Sequence, residues 1–464
     1  MDFCVPRFMI TATNSGSGKT TITCAILKAL LNQGLKPAAF KAGPDYIDPM
    51  FHSRVVGAKS RNLDIFMLGE NICRYLLAKN SKNCDIAVLE GVMGYYDGIS
   101  TTTAGSAYAL AKETKTPVIL VINADGASLS LAALIQGFKN FRADSNIHGA
   151  ILNNISPMTY AYYKDIIEKE TGVKLLGYMP KMEGCGFESR HLGLITAEEI
   201  NNLQVIVDRL AKQAEATIDL KGIMKIARTA PLLDYEAPVV NKVANVKIAI
   251  AQDKAFCFYY QDSLDLLCEM GAELVPFSPL TDSELPACDG LILGGGYPEL
   301  YAEALSENKS MLASIKKYIL AKKPCIAECG GFMYLLDKYT DREGKEWNWV
   351  GAITGEVFMT NKLKRFGYIT LESQNDNVLA KTGEKINGHE FHYSDSTSNG
   401  NSFLAKKPES SAQWDCINAD DSICAGYPHM HLYGNISFAA NFIRACYNKK
   451  TNIFRRVISL CLQY

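Results

Sequence analysis

Short continuous apolar runs punctuate the first 160 residues. Residues 7–13 form one and lead into TATNSGSGKTT, residues 11–21. KTTITCAILKALLNQG follows with apolar residues at helical spacing and Gly34 as a stop. KPAAFKAG, CDIAVLEGVMG (84–94), TPVILVINADG (116–126) and IHGAILNNIS (147–156) are further runs of strand length. Strands that are apolar along their whole length and alternate with helices predict a parallel, doubly wound α/β sheet. Around 225–245 the pattern weakens: IARTAPLLDYEAPVVNKVA carries two prolines and mixed polarity. VKIAIAQD then opens a new strand, DLLCEMGAELVPFSP and CDGLILGGGYPE follow, and KKPCIAECGGFMYLL reads as strand, tight turn and helix. The second half is expected to be another α/β domain. The boundaries that follow are a first domain over 1–235, a linker over 236–245, a second domain over 246–450 and an apolar, basic tail over 451–464.

Length supports two cores, since 464 residues exceed what one ordinary core holds. Hydrophobic residues make up 48% and charged residues 21%, as in a folded soluble protein. The net charge of −1 lacks the basic field of a general nucleic-acid binder, so no nucleic-acid partner is expected. The 14 cysteines contain no Cys-x-x-Cys pair, which argues against a zinc ribbon or a secreted disulfide framework and for reduced thiols. No long apolar stretch precedes the glycine loop and none approaches about 18 residues. A cytoplasmic protein with no membrane partner is the expectation.

The loop at 11–21 carries the first candidate chemistry. Gly18, Lys19 and Thr20 fit the end of the pattern G-x-x-x-x-G-K-[ST], while Thr13 replaces its first glycine. With a strand before and a helix after, this is a phosphate-loop NTPase-like arrangement. Asn14, Ser15, Gly16, Ser17 and Gly18 let the backbone approach a phosphate, Lys19 reaches the outer phosphates, and the Thr20 hydroxyl ligates magnesium. Acids follow the next strands: Asp45, Asp48, Asp64, Glu90 and Asp97. Strand C-terminal ends face the ligand crevice in such a sheet, and magnesium takes one or two carboxylates with phosphate and water. Taken singly, each acid reads equally well as a solvated or capping residue. Asp45 and Asp48 flank a rigid turn in KAGPDYIDP, which sets them apart.

Cys329 lies between an apolar strand and an apolar helix in PCIAECGGFMYLL. A nucleophile there sits exposed on a sharp turn, and the helix N-terminus favours its thiolate. Gly330 and Gly331 give the turn room, although Ala327 stands where the elbow pattern has glycine. The competing reading is one more buried cysteine. LILGGGYPE (291–299) is a glycine-rich strand end suited to an oxyanion hole, and GYPHMHLYGN offers His429 and His431.

Taken together, TATNSGSGKTT, FKAGPDYIDP, RNLD, LEGVMGYYDG, RHLGL, LGGGYPE, ECGGFMYL, GHEFHYS and the final His-x-His resemble the cobyrinate a,c-diamide synthases over most of the chain. The first half is similar to the dethiobiotin-synthetase-like phosphate-loop ATPases, a group that also tolerates the missing first glycine. The second is similar to class I (triad) glutamine amidotransferase domains of the cobyric-acid type. The resemblance implies ATP-dependent amidation of the a- and c-acetate carboxylates of a corrinoid, cobyrinate or hydrogenobyrinate, through acyl phosphates, with ammonia from L-glutamine and with Mg2+, in cobalamin biosynthesis. It implies Cys329 as nucleophile, His429 as its base with His431 as the alternative, and Gly295 and Gly296 as oxyanion donors. Gly-Tyr-Pro precedes the first of these histidines where the family has Ser-Tyr-Leu. In the synthetase half it implies Asn14 through Thr21, with Thr21 and Lys41 included, around ATP, and Thr20, Asp64 and Glu90 around the metal. Asp45, Asp48, Asp97, Arg190 and His191 would serve the substrate or the acyl phosphate. His389 and His392 match the family without an assigned role. A nickel-sirohydrochlorin a,c-diamide synthase shares every motif and is the alternative within the family. A partitioning or switch ATPase is the alternative of another class, and it predicts no nucleophile in the second half.

Overall fold

The computed structural model describes residues 1–185, 189, 190, 193, 194 and 203–461. The chain divides into two compact units, Met1–Pro238 and Val239–Tyr464.

The first unit is built on a seven-stranded sheet. Its strands are β1 (Arg7–Ala12), β2 (Pro37–Ala42), β3 (Ser60–Leu63), β4 (Ile86–Glu90), β5 (Val118–Asn123), β6 (Ile147–Asn153) and β7 (Lys174–Met179). They run in the order β3-β2-β4-β1-β5-β6-β7, and every pairing is parallel. All residues of β1, β2 and β4 are buried, because helices cover both faces of the sheet. Helix α1 (Lys19–Asn32) crosses from β1 and packs on α2 (Leu203–Thr217). The two strands that the apolar pattern missed are the two edges. SRNL in β3 is four residues long and polar at three of them, and KLLGYM in β7 carries a lysine and a glycine. Both are largely buried, but polar or interrupting residues break the apolar run that would announce them.

Register sets up the chemistry. Lys41 of β2 lies opposite Glu90 of β4, and Ile10 of β1 lies opposite Glu90 on its other side. The C-terminal ends of three neighbouring strands thus meet beside the loop that leaves β1.

Arg7 anchors the entry to β1. Its fully buried guanidinium donates from Nε to Thr114 O (3.0 Å) and from Nη2 to Pro231 O (2.8 Å) and Lys115 O (3.3 Å). Burial lowers its pKa to about 10, so it stays charged at neutral pH. No carboxylate is needed, because backbone carbonyls accept its protons.

The second unit holds several sheets, among them a four-stranded one formed within residues 336–396, and the two that build its site differ in character. One sheet takes β8 (Val246–Ala251), β9 (Ala272–Phe277), β10 (Gly290–Leu293), β11 (Cys325–Glu328), β16 (Asn418–Ala419) and β17 (Ile423–Gly426). Its order is β9-β8-β10-β11-β17-β16, parallel except at the β17–β16 edge. The other sheet is antiparallel and was not expected from the sequence. It orders β15 (Gln413–Cys416), β14 (Phe403–Lys406), β12 (Arg365–Ser373), β13 (Lys385–His392) and β18 (His429–Met430) as β15-β14-β12-β13-β18. Helix α4 (Ile436–Cys461) follows α3 (Gly330–Leu335) at some distance in sequence and does not break at residue 450. The boundary expected at 450/451 falls inside this helix, which buries Phe438, Phe442, Ile443 and Cys446 at helical spacing.

Replacing Arg7 by Met should destabilise the first unit by about 2–4 kcal/mol, because the backbone carbonyls of Thr114, Lys115 and Pro231 lose the donor they share. A fall in the urea midpoint checks this, and an unchanged midpoint contradicts it.

Candidate active sites

In the first unit the loop after β1 turns on two glycines in the left-handed region, Gly16 (φ +78°) and Gly18 (φ +92°). A Cβ at Gly18 would collide with the Asn153 side-chain amide, whose Nδ2 donates to Ser17 O (2.9 Å). Asn14, Ser15 and Gly16 are exposed, Ser17 is buried, and Thr20 and Thr21 sit on the first turn of α1. At Thr13, where the sequence pattern has glycine, the close approach is taken by another residue. A Cβ at Gly94 would lie 2.7 Å from Thr13 O and 2.5 Å from Asp97 Oδ2. The loop after β4 therefore folds over the phosphate loop, with Tyr95 N donating to Ala12 O (2.9 Å) and Gly94 N to Asp97 Oδ2 (2.9 Å).

Lys19 Nζ donates to Met93 O (2.6 Å) and Asn14 O (3.3 Å). Burial, together with the charge of Lys41, pushes its ammonium down to about 8. Lys41 is buried at the centre of an acidic group. Its ammonium pairs with Asp48, with Glu90 Oε1 (3.0 Å) and with Asp45 Oδ2 (3.7 Å). Burial alone would deprotonate it, but Asp48 and Glu90 outweigh burial and hold it above the ordinary lysine range. Burial would raise Glu90 as well, but Lys41 and His52 overcome that and keep it ionised. Asp48 is pushed up, first by burial and then by Asp45 and Glu90. Thr20 Oγ1 donates to Glu90 Oε1 (2.6 Å) and lies 3.2 Å from Asp48 Oδ2.

Two predicted residues have other surroundings. Asp64 Oδ1 caps the turn Ile65–Leu68 by accepting from Phe66 N (3.0 Å) and Met67 N (2.9 Å). Arg190 contributes backbone to a two-residue pairing with Gly193, and His191 lies outside the described residues. His52 was not foreseen. Its Nε2 meets Glu90 Oε2 (2.9 Å) and its Nδ1 meets Ser60 Oγ (3.1 Å), fully buried. The His in GPDYIDPMFH was the available signal.

For a divalent ion, Thr20, Asp48 and Glu90 offer three hard oxygen donors side by side. Among the described residues no cluster of three His, Cys, Asp or Glu forms a complete protein cage. That donor set fits magnesium, which is usually completed by phosphate and water.

In the second unit Cys329 sits between β11 and α3 at φ 48°, ψ −108°, a strained conformation for a residue with a side chain. Its N–H donates to Gly426 O (2.8 Å), which ties the turn to β17. Gly331 admits no side chain, since a Cβ there would collide with Leu293 O. His429 reaches Cys329 from the antiparallel sheet and hydrogen-bonds it. Burial disfavours the imidazolium, but Cys329 and Glu328 overcome that and hold His429 at about 10. Gly295 faces the same ring: a Cβ on it would lie 2.6 Å from His429 Cε1. Gly296 N lies 3.3 Å from the Cβ position of Gly330, beside the nucleophile turn. His431 is engaged elsewhere. Its Nδ1 accepts from Tyr433 N (3.3 Å) and meets Ser263 Oγ (3.4 Å), its ring stacks on Tyr260, and burial lowers it to about 3. His389 stacks on His429 at 4.9 Å, and His392 stacks on Tyr427 at 3.9 Å.

Residues 8–195 match the family model described as the CobQ/CobB/MinD/ParA nucleotide binding domain, and residues 247–435 match the CobB/CobQ-like glutamine amidotransferase domain. The chain is 42% identical to the cobyrinate a,c-diamide synthase of Caldanaerobacter subterraneus subsp. tengcongensis, over 95% of this chain and 98% of that one. The chain belongs to the cobyrinate a,c-diamide synthase family. Its similarity to the synthase of Thermoplasma volcanium is 41% over 97% and 99% of the two chains. With that of Fusobacterium nucleatum it is 42% over 93% and 98%. As a member of the cobyrinate a,c-diamide synthase family, it is an enzyme of the carbon–nitrogen ligase class, with a nucleotide-binding and a glutamine amidotransferase domain. The switch-ATPase reading accounts for the first of these alone. No helix among the described residues is long and apolar enough to cross a membrane.

Gly295→Ala should lower glutaminase activity on the order of 100-fold, because the new methyl displaces the His429 ring from its place beside Cys329. Circular dichroism should stay unchanged. Glutaminase within twofold of wild type would show that the ring tolerates displacement.

Proposed function

We propose that this protein amidates the a- and c-acetate carboxylates of cobyrinate, using ATP and ammonia drawn from glutamine. The observation that carries the reading is the likeness to named synthases through both units, over 95% of the chain. The charged cluster at the phosphate loop and the Cys329–His429 pair supply chemistry for the two halves of that reaction.

In the amidotransferase unit, Cys329 attacks the amide carbon of glutamine as the thiolate, its proton held by His429. Gly295 and Gly296 donate backbone N–H groups to the oxyanion. The C–N bond breaks as His429 returns its proton to the departing ammonia. Water then cleaves the thioester, releasing glutamate and restoring the thiol. His429 takes this role over His431, because His431 is spent on Ser263, Tyr260 and Tyr433.

In the synthetase unit, a substrate carboxylate oxygen attacks the γ-phosphorus of ATP and ADP leaves. Ammonia displaces phosphate from the acyl phosphate and forms the amide. Asn14 to Gly18 cradle the phosphates, and Lys19 and Lys41 meet the charge that develops on the γ-phosphoryl oxygens. Magnesium would be held by Thr20 and Glu90, with Asp48 beside them, and would neutralise phosphate charge. Asp64 serves as a helix cap, which leaves the metal to the other two. Asp45, Asp48 and Asp97 border the space where the carboxylate must meet the phosphate. Arg190 and His191 remain candidates for holding substrate carboxylates.

Cys329→Ser should abolish glutamine-dependent amidation and keep amidation with ammonium salt. Lys19→Ala should abolish both while glutamine hydrolysis persists, its loss amounting to several kcal/mol at about 1.4 per tenfold in rate. Products are read by mass with cobyrinate and with nickel sirohydrochlorin as competing substrates. A Cys329→Ser protein dead with ammonia would break the division of labour, and amidation of nickel sirohydrochlorin alone would move the substrate assignment.

A further inference from the structure

The position two residues after His429 holds another histidine, and that side chain is committed to Ser263 and Tyr433. The acid that meets His429 comes from the other end of the site. Glu328, the last residue of β11 and the immediate neighbour of Cys329, places Oε2 3.6 Å from His429 Nδ1. The carboxylate is fixed from its other oxygen, since Met430 N donates to Glu328 Oε1 (3.2 Å). One carboxylate therefore grips the strand β18 on both sides of the His429 peptide.

Resting on the amidotransferase reading above, we propose that Glu328 is the positioning residue of the site. It orients His429 through Nδ1, leaving Nε2 for the Cys329 thiol. The constellation then runs Glu, Cys, His along the chain, and such sites are defined by geometry rather than by order. His389 covers the ring face at 4.9 Å and is itself held by the Tyr260 hydroxyl at Nε2 (2.8 Å). Burial and the charge of His429 keep His389 neutral, so it gives no competing charge. The titratable groups facing His429 are thus Cys329 and Glu328 from β11 and its turn, and His389 from β13. Glu390 and His392 of β13 lie farther off but within electrostatic reach.

The sign of the pH effect follows. Cys329 and Glu328 raise His429 to about 10 against burial, so the charged pair persists through neutral pH and is lost as pH rises through that value. Removing the Glu328 charge lowers this limit. Glu328→Gln keeps an acceptor for Met430 N–H and removes the charge. Its glutaminase kcat should fall on the order of 100-fold with KM for glutamine within about threefold, and the alkaline limb of kcat/KM should move down by about one pH unit or more. Glu328→Asp retains the charge, and its alkaline limb should stay within about half a unit of wild type. A Gln variant with kcat within about threefold of wild type, or with an unmoved limb, overturns the proposal; so does an Asp variant displaced as far as the Gln variant. Should the Gln variant not fold, the Asp limb alone decides. Amidation from ammonium salt separates the two readings. Wild-type protein without glutaminase sinks the amidotransferase reading, whereas active wild type with an unaffected Gln variant sinks only this assignment.

Discussion

A single buried ammonium organises the synthetase unit. Lys41 is almost wholly removed from water, a placement that costs several kcal/mol unless the charge is met at once by partners. Asp48 and Glu90 meet it, and their positions follow from constraints that reach far into the sheet. Glu90 is there because β2 and β4 pair in a register that sets Lys41 beside it. Asp48 is there because Asp45 accepts from the N–H groups of residues 47 and 48 and so bends the chain back toward Lys41. Thr20 joins from α1, and His52 braces the far oxygen of Glu90. Slipping any strand by one residue would turn Lys41 or Glu90 to the other face of the sheet and strand a buried charge. Register and charge pairing therefore enforce each other.

The amidotransferase unit solves a different problem, that of bringing together groups from two sheets. Cys329 leaves the parallel sheet in a backbone conformation costing about 1–3 kcal/mol. The conformation persists because its surroundings leave no alternative. Gly426 takes the Cys329 N–H, and Leu293 presses against Gly331. His429 arrives from the antiparallel sheet, on a strand of two residues paired to β13 through Gly388 and His389. Such a short strand cannot hold an imidazole by itself. Glu328 binds it from the nucleophile's side and His389 from behind, so the two sheets are joined at the reacting atoms.

What the sequence disclosed depended on how local the cause was. The loop at 13–18, α1 and the central strands were legible, because continuous apolar runs and glycine punctuation are local signals. The edge strands β3 and β7 were not, since Ser60, Arg61 and Asn62 in one and Lys174 and Gly177 in the other interrupt the apolar run. The antiparallel sheet was hidden as well, since KINGHEFH shows no clean alternation of apolar and polar residues. Asp64 looked like the other acids after strands, and only the N–H groups of Phe66 and Met67 distinguish a cap from a ligand. His52 and Glu328 were missed for the same reason. Each acts on a partner far away in sequence, 38 residues for His52 and Glu90 and 101 for Glu328 and His429, and spacing along the chain carries no trace of such a meeting.

The two units also treat their charges in opposite ways, and the chemistry requires that difference. In the synthetase unit, opposite charges sit together in advance: Lys41 is neutralised by acids, while Lys19 is left to carbonyl oxygens and is lowered by burial. A phosphate entering beside Lys19 supplies the negative charge that this ammonium lacks, so the loop is stabilised by its ligand. In the amidotransferase unit the charge pair is the reagent itself. His429 is held protonated by Cys329 and Glu328 among three histidines, two of which burial keeps neutral and the third of which, His392, it lowers to about 4. One imidazolium among neutral rings concentrates the positive charge at the sulfur that must carry the negative one. The surrounding rings exclude water without diluting that field, and a low-dielectric wall strengthens the pair it encloses.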